Sequence, residues 1–454
     1  MSGASAGATG LRRVIALAVP IVISNVTVPL IGLVDTAVMG HMPDPAYIGG
    51  VALGALIFSF VYWGFGFLRM GTTGLTAQAL GRWQADASEP AMLELRAAFL
   101  RPLALAGAAA AALIVLQWPV AVAAFAILGG SAQVEALAAT YFHVRIWGAP
   151  FTLGGYAVLG WLLGVQATRA AMVTQIVANL INVALSLLFV IVLDWGVAGV
   201  GAAAVLAEAG GLALGLAMVR RRLRAMTGGW RIPRAVLLNA PALKRLAGVN
   251  ADIFLRTLAL VFAFAWLTDR SARFGDTILA VNAILLQFQS FLAYALDAFA
   301  FAAEALVGQA IGARNRHALL AAMRLTTLAG FAVAAAFAVV YAGLAELLVA
   351  LMTDLPEVRA LAADYRWWMA AAPVVAVGSY MLDGIFIGAT RTAEMRNAMI
   401  VSTALFVGAG WLLAGWYGNH GLWTAYMLFM ALRSLTLLAY LPRLVGDAGG
   451  PARA

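Results

Sequence analysis

The sequence has no cysteine and only four histidines in 454 residues. Without thiols the chain can form neither a disulfide bond nor a thiolate metal site, so cysteine usage gives no indication of the compartment. The histidines lack the HExxH spacing of a zinc enzyme, and the chain has neither GxxxxGKS nor GxxxxGKT, the phosphate-loop patterns. These absences argue against a metalloenzyme and against transport powered by a nucleotide site on this chain. We expect no enzymatic activity, no bound metal and no cofactor.

Charged residues are scarce as well. They make up 11% of the chain, whereas 64% of its residues are hydrophobic, and soluble domains carry about 25% charged residues. Apolar runs of roughly 20 residues recur along the whole length, and each is long enough to cross a bilayer core of about 30 Å as a helix. The sequence therefore predicts an all-α polytopic membrane protein. The N-terminus lacks a signal-peptide cleavage pattern, so we expect the first span to be retained.

Hydropathy and helix breakers together predict about twelve transmembrane helices. The predicted spans lie near 12–39, 47–79, 93–127, 132–158, 164–193, 196–219, 243–268, 276–311, 318–350, 357–387, 394–417 and 421–442. Lysine and arginine are concentrated in the loops on one side, most densely in "RRRLR" at 220–224. This bias predicts that both termini are cytoplasmic, and we interpret the net charge of +9 in the same way rather than as a sign of nucleic-acid binding.

The two halves of the chain repeat each other. "LRRVIALAVPIVISN" from Leu11 aligns with "LKRLAGVNADIFLRT" from Leu243, "AQALG" at 77–81 with "GQAIG" at 308–312, and "ATR" at 167–169 with the same triplet at 389–391. The nearly constant offset predicts two parallel six-helix lobes with pseudo-two-fold symmetry, as in many secondary transporters. The predicted parts are an N-terminal lobe (1–220), a basic cytoplasmic linker (221–242), a C-terminal lobe (243–446) and a tail (447–454).

One acid interrupts the apolar stretch "PLIGLVDTAVMGH" at 29–41. Asp35 is predicted to lie in the outer third of the first span, where an ionised side chain costs at least about 2.5–3.5 kcal/mol. Pro29 cannot donate a helical hydrogen bond and Gly32 follows it, so we predict a hinge at these two residues. A group that exchanges a proton beside a hinge suits a proton-coupled transporter. In the alternative interpretation, Asp35 reaches the outer interface and stays ionised.

Polar residues of the fifth and sixth spans are candidate neighbours of Asp35. The spacing in "NLINVALS" places Asn179, Asn182 and Ser186 on one helical face. Ser186 reaches roughly the depth of Asp35, and Glu208 lies near the middle of the sixth span. We predict that these four residues form a proton or cation coupling site with Asp35, although amides between helices can also serve packing alone.

Charged and amide residues also recur in the second half. Four residues of the eighth span fall within about 80° of one another on one helical face, and Asp252 precedes Arg256 by one turn, the favourable order for an ion pair. We predict a C-terminal charge network on these grounds, and its role, structural or as a second cation or proton site, stays open. The predicted network consists of Asp252, Arg256, Asn282, Gln289, Asp297, Glu304 and Asp383.

Taken together, these strings resemble the multidrug and toxic compound extrusion (MATE) family, most closely its DinF-like branch. The motifs are "PLIGLVDTAVMGH", "FLRMGTTGLTAQALG", "DAFAFAAEALVGQAIGAR" and "LDGIFIGATRTAEMRNAM". The resemblance covers nearly the whole chain. It implies two six-helix lobes that open a central cleft alternately to either side. It also implies antiport in which a proton or sodium gradient drives export of organic, often cationic, compounds.

The resemblance also suggests roles for individual residues. Asp35 matches the first-span acid proposed as the protonation site of the DinF-like branch, and Asn182 matches the asparagine of the fifth span. The family's aspartate four residues later is Ser186 here, and a hydroxyl of the sixth span is replaced by Ala204. We therefore hypothesise that Glu208, one turn from Ala204, replaces the missing carboxylate.

The resulting prediction is a proton-coupled exporter in a bacterial cytoplasmic membrane. We expect it to work as a monomer in the lipid bilayer, to carry small organic molecules and to bind no nucleic acid. Two alternatives within transport stay open, a sodium-coupled exporter and a flippase for lipid-linked or polyanionic substrates. A scaffold or sensor that transports nothing would need neither an acid beside a hinge nor duplicated lobes.

Overall fold

A computed structural model of the chain describes residues 10–42 and 44–447, apart from the side chains of residues 28–30 and 33. This part is almost entirely helical and contains no β-strand, so the predicted all-α class is confirmed. The α-helices are α1 (Leu11–Met39), α2 (Ala46–Gly64), α3 (Phe67–Asp86), α4 (Glu89–Val115), α5 (Gln117–Ile127), α6 (Ala132–Arg145), α7 (Ala149–Gly164), α8 (Thr168–Ser186), α9 (Gly196–Thr227), α10 (Arg234–Leu237), α11 (Ala240–Ala272), α12 (Asp276–Gly312), α13 (Arg316–Ala350), α14 (Pro356–Asp364), α15 (Arg366–Gly388), α16 (Thr392–Leu438) and α17 (Leu441–Asp447).

The helices account for twelve spans. Ten helical segments of the described chain are long and apolar enough to cross a membrane. They do not include α1, whose 29 residues are mostly apolar. One of the ten contains α16, in which Gly418 has non-helical backbone angles (φ 56°, ψ −136°) and marks a kink between two helices. A positive φ is strained for most residues but not for glycine. Adding α1 and dividing α16 at Gly418 gives twelve.

Several span boundaries differ from the prediction, and two of them have a clear cause or consequence. The third predicted span, 93–127, is interrupted at Leu116, where α4 ends and α5 begins. Pro119 lies in the first turn of α5, and a proline ring clashes with the carbonyl four residues earlier, so one helix cannot run through this point. The sixth predicted span ends at 219, but α9 continues to Thr227 and carries the "RRRLR" segment as helix.

The chain divides into two compact units. The N-terminal unit is Pro20–Ala247. In its core, α2 packs closely on α6 because Gly50 and Gly54 present no side chain at the contact. A Cβ atom at Gly54 would lie 2.5 Å from Cδ1 of Tyr141, and one at Gly50 would lie 2.5 Å from Cβ of Leu137. Small residues permit such close helix approaches in membranes.

The C-terminal unit consists of the described residues of Met1–Val19 and Gly248–Ala454. Its central contact joins α12 and α15, which approach closely at two glycines. A Cβ atom at Gly384 would lie 2.5 Å from the carbonyl oxygen of Ala300, and one at Gly388 would lie 2.5 Å from that of Glu304. This approach buries Glu304 and Asp383 in the interior of the unit.

Candidate functional site

The structure brings Asp35 of α1 together with Ser186, the last residue of α8. The Ser186 hydroxyl donates a hydrogen bond to Oδ1 of Asp35 over 3.2 Å. Ser186 is completely buried and Asp35 is partly buried. Two of the five residues predicted for the coupling site are therefore in direct contact, although 151 positions separate them in the chain.

A second set of hydrogen bonds joins α1 to α8 further along the same faces. Asn179 donates from Nδ2 to Oγ1 of Thr27 over 2.7 Å and accepts at Oδ1 from Gln175 over 2.9 Å. Thr27 in turn donates to the carbonyl oxygen of Ser24. The sequence analysis missed Thr27 and Gln175. Gln175 precedes Asn179 by four residues, and this spacing could have identified it as a neighbour on the same helical face.

Asn182 lies between these two sets on α8. Its residue is 4% exposed, and its Oδ1 atom has no hydrogen-bond partner within the described part of the chain. A buried acceptor without a partner costs about 1–3 kcal/mol.

Glu208 makes its contacts elsewhere. Arg145 donates to both of its oxygens, from Nη1 to Oε2 over 2.9 Å and from Nη2 to Oε1 over 2.5 Å. The Thr152 hydroxyl also donates to Oε2, over 2.5 Å. Gly148 leaves room for this ion pair, because a Cβ atom there would lie 2.4 Å from Nη1 of Arg145. The hypothesis that Glu208 acts with Asp35 stays a prediction, and the contacts found for Glu208 do not include Asp35.

Arg145 is a buried cation that the sequence analysis missed. The residue is 7% exposed, and its guanidinium lies 5.1 Å from the ring centroid of Tyr62 and 5.4 Å from that of Phe58, within cation–π range. It is also close enough for its charge to act on Asp35. An arginine inside the predicted fourth span, in "YFHVRIWG", could have been recognised as an intramembrane charge.

The hinge residues Pro29 and Gly32 lie within the helical backbone of α1, which is continuous from Leu11 to Met39. The side chain of Pro29 lies outside the described part of the chain. Gly32 is exposed, and a Cβ atom there would meet nothing within 4 Å. The hinge stays a prediction.

The C-terminal unit contains a buried triad centred on Asp383. Arg256 and Arg433 both donate to Oδ2 of Asp383, the latter over 2.8 Å. The predicted pairing of Arg256 with Asp252 is therefore wrong, because Arg256 extends to α15 instead. The sequence analysis missed Arg433, although it stands inside the apolar run "YMLFMALRSLTLL". Two guanidiniums on one carboxylate leave an excess positive charge, which does not favour binding of a cation here.

Two other residues of the predicted network, Asp252 and Asn282, make the contacts described below with residues outside this triad. Asp252 pairs with Arg396 over 2.5 Å and accepts from Thr392 over 3.0 Å. Asn282, in the second turn of α12, exchanges hydrogen bonds with Asn419 and also accepts a hydrogen bond from Trp423. The predicted single network is thus at least three clusters, because a shared helical face does not bring residues four turns apart into contact.

Three further residues predicted for this network lie along α12. Glu304 is 1% exposed and Gln289 is 7% exposed. The Nε2 atom of Gln289 has no partner in the described part of the chain. Asp297 is close enough to interact electrostatically with Tyr294 and Tyr380. Glu304 and Gln289 are thus buried side chains of α12, and Asp297 lies on the same helix.

Twelve apolar helices with buried acids held between them define a multi-pass membrane transporter rather than an enzyme. A family model described as MatE matches residues 20–188 and 253–412, more than half of the chain. The chain therefore belongs to the MatE family, and the resemblance noted in the sequence is confirmed.

Individual relatives agree with this assignment. The chain is 44% identical over 430 residues to DNA damage-inducible protein F of Escherichia coli (strain K12), covering 93% of this chain and 90% of that protein. It is 25% identical over 461 residues to multidrug resistance protein MdtK of Pectobacterium atrosepticum, covering 96% of each.

Solved structures show the same fold at low sequence identity. A crystal structure of MATE in the bent conformation matches with a TM-score of 0.85 and 17% identity over 96% of each chain. A MOP superfamily transporter from Pyrococcus furiosus matches with a TM-score of 0.82 and 18% identity over 97% of each chain. These matches support the twelve-helix architecture counted above.

Proposed function

We propose that this protein exports organic, often cationic, compounds across a bacterial cytoplasmic membrane in exchange for protons, with Asp35 as the proton-binding group. The observation that carries the proposal is the contact of Asp35 with Ser186 beside the unpartnered oxygen of Asn182. The similarity of the chain to a protein named for multidrug resistance supports the class of substrate. We also propose that the protein works as a monomer with both termini in the cytoplasm.

The choice of ion follows from the available ligands. A hard cation takes several oxygen ligands, usually including carboxylates. Asp35 contributes the one carboxylate among the residues in contact at this site, since Glu208 is engaged by Arg145. No group of three or more acid, histidine or cysteine side chains suited to a metal occurs in the described residues. A proton needs one titratable group, so these residues suit proton coupling better than sodium coupling.

Proton uptake would change what Asp35 can do. As a carboxylate it only accepts hydrogen bonds, and Ser186 supplies one. As a carboxylic acid it also donates, and Asn182 Oδ1 is a buried acceptor on the same face of α8. The proposed step is that protonation turns Asp35 from Ser186 toward Asn182, draws α1 along α8 and bends α1 near Gly32. This rearrangement would reshape the interior of the N-terminal unit and release the substrate.

Arg145 would influence this protonation step. It lies close enough to Asp35 for its charge to act on that acid, and it is paired with Glu208. The arrangement gives the two acids different tasks, with Glu208 fixing the position and effective charge of Arg145 and Asp35 carrying the proton.

The deciding experiment measures transport of a fluorescent organic cation into inside-out vesicles, which corresponds to efflux from a cell, under separate proton and sodium gradients. We expect a proton gradient alone to drive efflux in the wild type. Transport by the Asp35→Asn variant should fall to the level of vesicles without the protein, because asparagine has nearly the shape of aspartate but no group that titrates near neutral pH. Efflux of a polyanionic lipid in place of the cation would favour the flippase alternative.

Asp44→Asn is the matched control, since it makes the same change in the loop after α1. Hydrogen bonds from the backbone N–H of Ala46 and from Gln133 lower the pKa of Asp44 from its ordinary value, so it stays ionised throughout the assay. Asp44→Asn should transport like the wild type. Sodium-driven efflux in the wild type, or full proton-driven efflux in Asp35→Asn, would overturn the proposal.

A further inference from the structure

The end of α9 and the linker that follows it form a strongly basic surface of the N-terminal unit. This basic surface consists of six exposed arginines: Arg220, Arg221, Arg222, Arg224, Arg231 and Arg234. The chain contains no acid between Glu208 and Asp252. The ion pairs found within the described residues include none of the six arginines. The basic surface therefore presents a dense positive charge to its surroundings.

Arginines of another loop on the same predicted side have acidic partners. Arg391, between α15 and α16, pairs with Glu394 over 2.6 Å and also with Asp447. Arg396, near the start of α16, pairs with Asp252 over 2.5 Å. The excess of arginine that orients a membrane protein is thus compatible with paired side chains. The unpaired arginines of the basic surface point instead to an anionic partner outside the chain.

The first four arginines lie on a packed helix rather than on a free tail. Val219, Leu223 and Thr227 follow one another at intervals of four residues, and all three are buried. Residues at this spacing share one face of a helix, so α9 stays packed as far as Thr227 while the arginines take its exposed side. The helix therefore fixes the spacing of their guanidinium groups.

Two arginines of α4 hold the linker in the same way. Arg96 donates from Nε to Oγ1 of Thr227 over 3.0 Å and from Nη1 to the carbonyl oxygen of Arg231 over 2.9 Å. Arg101 donates to the carbonyl oxygen of Val236 over 2.6 Å. Bonds to the backbone fix the path of the linker and leave its exposed side chains free to bind. A surface ordered in advance loses less conformational freedom when a partner binds.

The basic surface begins where α9 leaves the hydrocarbon core. The helix begins at Gly196 on the predicted outer side, and Glu208 is the one charged residue before Arg220. Arg220 lies about 36 Å along the helix from Gly196 at 1.5 Å per residue, and the core is about 30 Å thick. The guanidinium of Arg220 lies 5.9 Å from the ring centroid of Trp230, which is 44% exposed. Because tryptophan is enriched at membrane interfaces, both observations place the surface at the level of the headgroups.

We propose that the basic surface docks the headgroups of anionic phospholipids in the leaflet that surrounds this end of α9. Guanidinium groups match phosphate oxygens in pairs of parallel hydrogen bonds. Clusters of about four to eight basic residues directly beyond a transmembrane helix are typical of such recognition. Since α9 spans the membrane, this leaflet is always beside the surface, whereas a soluble acidic partner must first be recruited. Docked headgroups would hold the linker against the membrane.

The test uses the purified full-length protein in neutral detergent. Native mass spectrometry measures binding of added phosphatidylglycerol, with phosphatidylcholine for comparison. We expect the wild type to bind phosphatidylglycerol more tightly than phosphatidylcholine. The triple variant Arg221→Gln/Arg222→Gln/Arg224→Gln should bind phosphatidylglycerol at least about tenfold more weakly, because half of the basic surface loses its charge. Raising the ammonium acetate concentration should also weaken binding by the wild type, since salt screens exposed charges.

The matched control removes the same charge from arginines that are exposed but lie elsewhere on the same predicted side. This variant is Arg169→Gln/Arg316→Gln/Arg324→Gln, and it should bind phosphatidylglycerol like the wild type. Replacing the three arginines of α9 by lysine keeps the charge and should preserve most of the binding, which separates loss of charge from misfolding.

Three outcomes would overturn the proposal. Equal losses in the two glutamine variants would mean that net charge, and not the basic surface, attracts the lipid. Equal binding of phosphatidylglycerol and phosphatidylcholine by the wild type would mean that the headgroup charge is not recognised. A short RNA that binds the wild type more tightly than phosphatidylglycerol does, and that loses binding in the α9 variant, would assign the surface to nucleic acid instead.

Discussion

At the scale of single residues, Asp35 and Glu208 are acids with opposite surroundings. Asp35 accepts one hydrogen bond from Ser186, whereas Glu208 accepts two from Arg145 and one from Thr152. Glu208 is thus the counter-ion of Arg145, whereas Asp35 is hydrogen-bonded to one hydroxyl. An acid that must load and release a proton needs a weaker set of partners, and the surroundings of Asp35 meet this requirement.

This contrast predicts what Glu208 does. Glu208→Gln leaves Arg145 as a buried cation without its counter-ion and should lower the free energy of unfolding by about 3 kcal/mol. The double variant Arg145→Gln/Glu208→Gln removes both charges and should recover most of that loss. Unfolding in a denaturing detergent, monitored by circular dichroism, compares both variants with the wild type. Proton-driven efflux should persist in the double variant, and its loss in a stable double variant would instead show that the Arg145–Glu208 pair takes part in coupling.

The sequence allowed some of these contacts to be predicted and not others. Asn179, Asn182 and Ser186 could be placed on one face of α8 because helical spacing is regular, and their depth pointed to Asp35. The partner of Arg256 could not be found in this way. Its nearest acid in sequence is Asp252. Arg256 pairs with Asp383 on α15 instead, because the glycines of α15 bring that helix close to α12 and place Asp383 in the interior. Tertiary contacts of long side chains depend on such helix approaches, which a single sequence does not encode locally.

At the scale of helices, the close contact of α12 with α15 should be sensitive to one methyl group. Gly384→Ala would place a Cβ atom 2.5 Å from the backbone carbonyl oxygen of Ala300, so the helices must separate. We expect a loss of about 1–3 kcal/mol in the free energy of unfolding and weaker pairing at the adjacent Asp383. Denaturation of purified protein measures the loss.

A second glycine gives the opposite expectation and serves as the control. Gly343 of α13 is exposed, and a Cβ atom there meets nothing within 4 Å. Gly343→Ala should therefore stabilise the helix by up to about 1 kcal/mol, through helix propensity alone. Equal effects of the two substitutions would contradict the packing argument, because both make the same change in sequence.

At the scale of the whole molecule, the count of twelve spans depends on how two breaks in the helices are counted. Gly418 divides a continuous apolar run into two helices, and Pro119 divides one predicted span into α4 and α5. The segment α4–α5 still counts as one crossing, because α5 has only 11 residues, about 17 Å of helix at 1.5 Å per residue. It is too short to cross a bilayer by itself.

The orientation predicted from the arginines can be tested directly, because the sequence has no cysteine. Each introduced thiol is then the only one. Gly129→Cys lies beyond α5 and Ala85→Cys lies before α4, at opposite ends of the same crossing. Both positions are exposed.

With the termini in the cytoplasm, a membrane-impermeant maleimide should label Gly129→Cys in intact cells and Ala85→Cys only after permeabilisation. Glu357→Cys, in the first turn of α14 on the predicted outer side, should label like Gly129→Cys. The reverse pattern would place the basic loops outside, and labelling of both N-terminal positions in intact cells would mean that α4 and α5 do not cross the membrane.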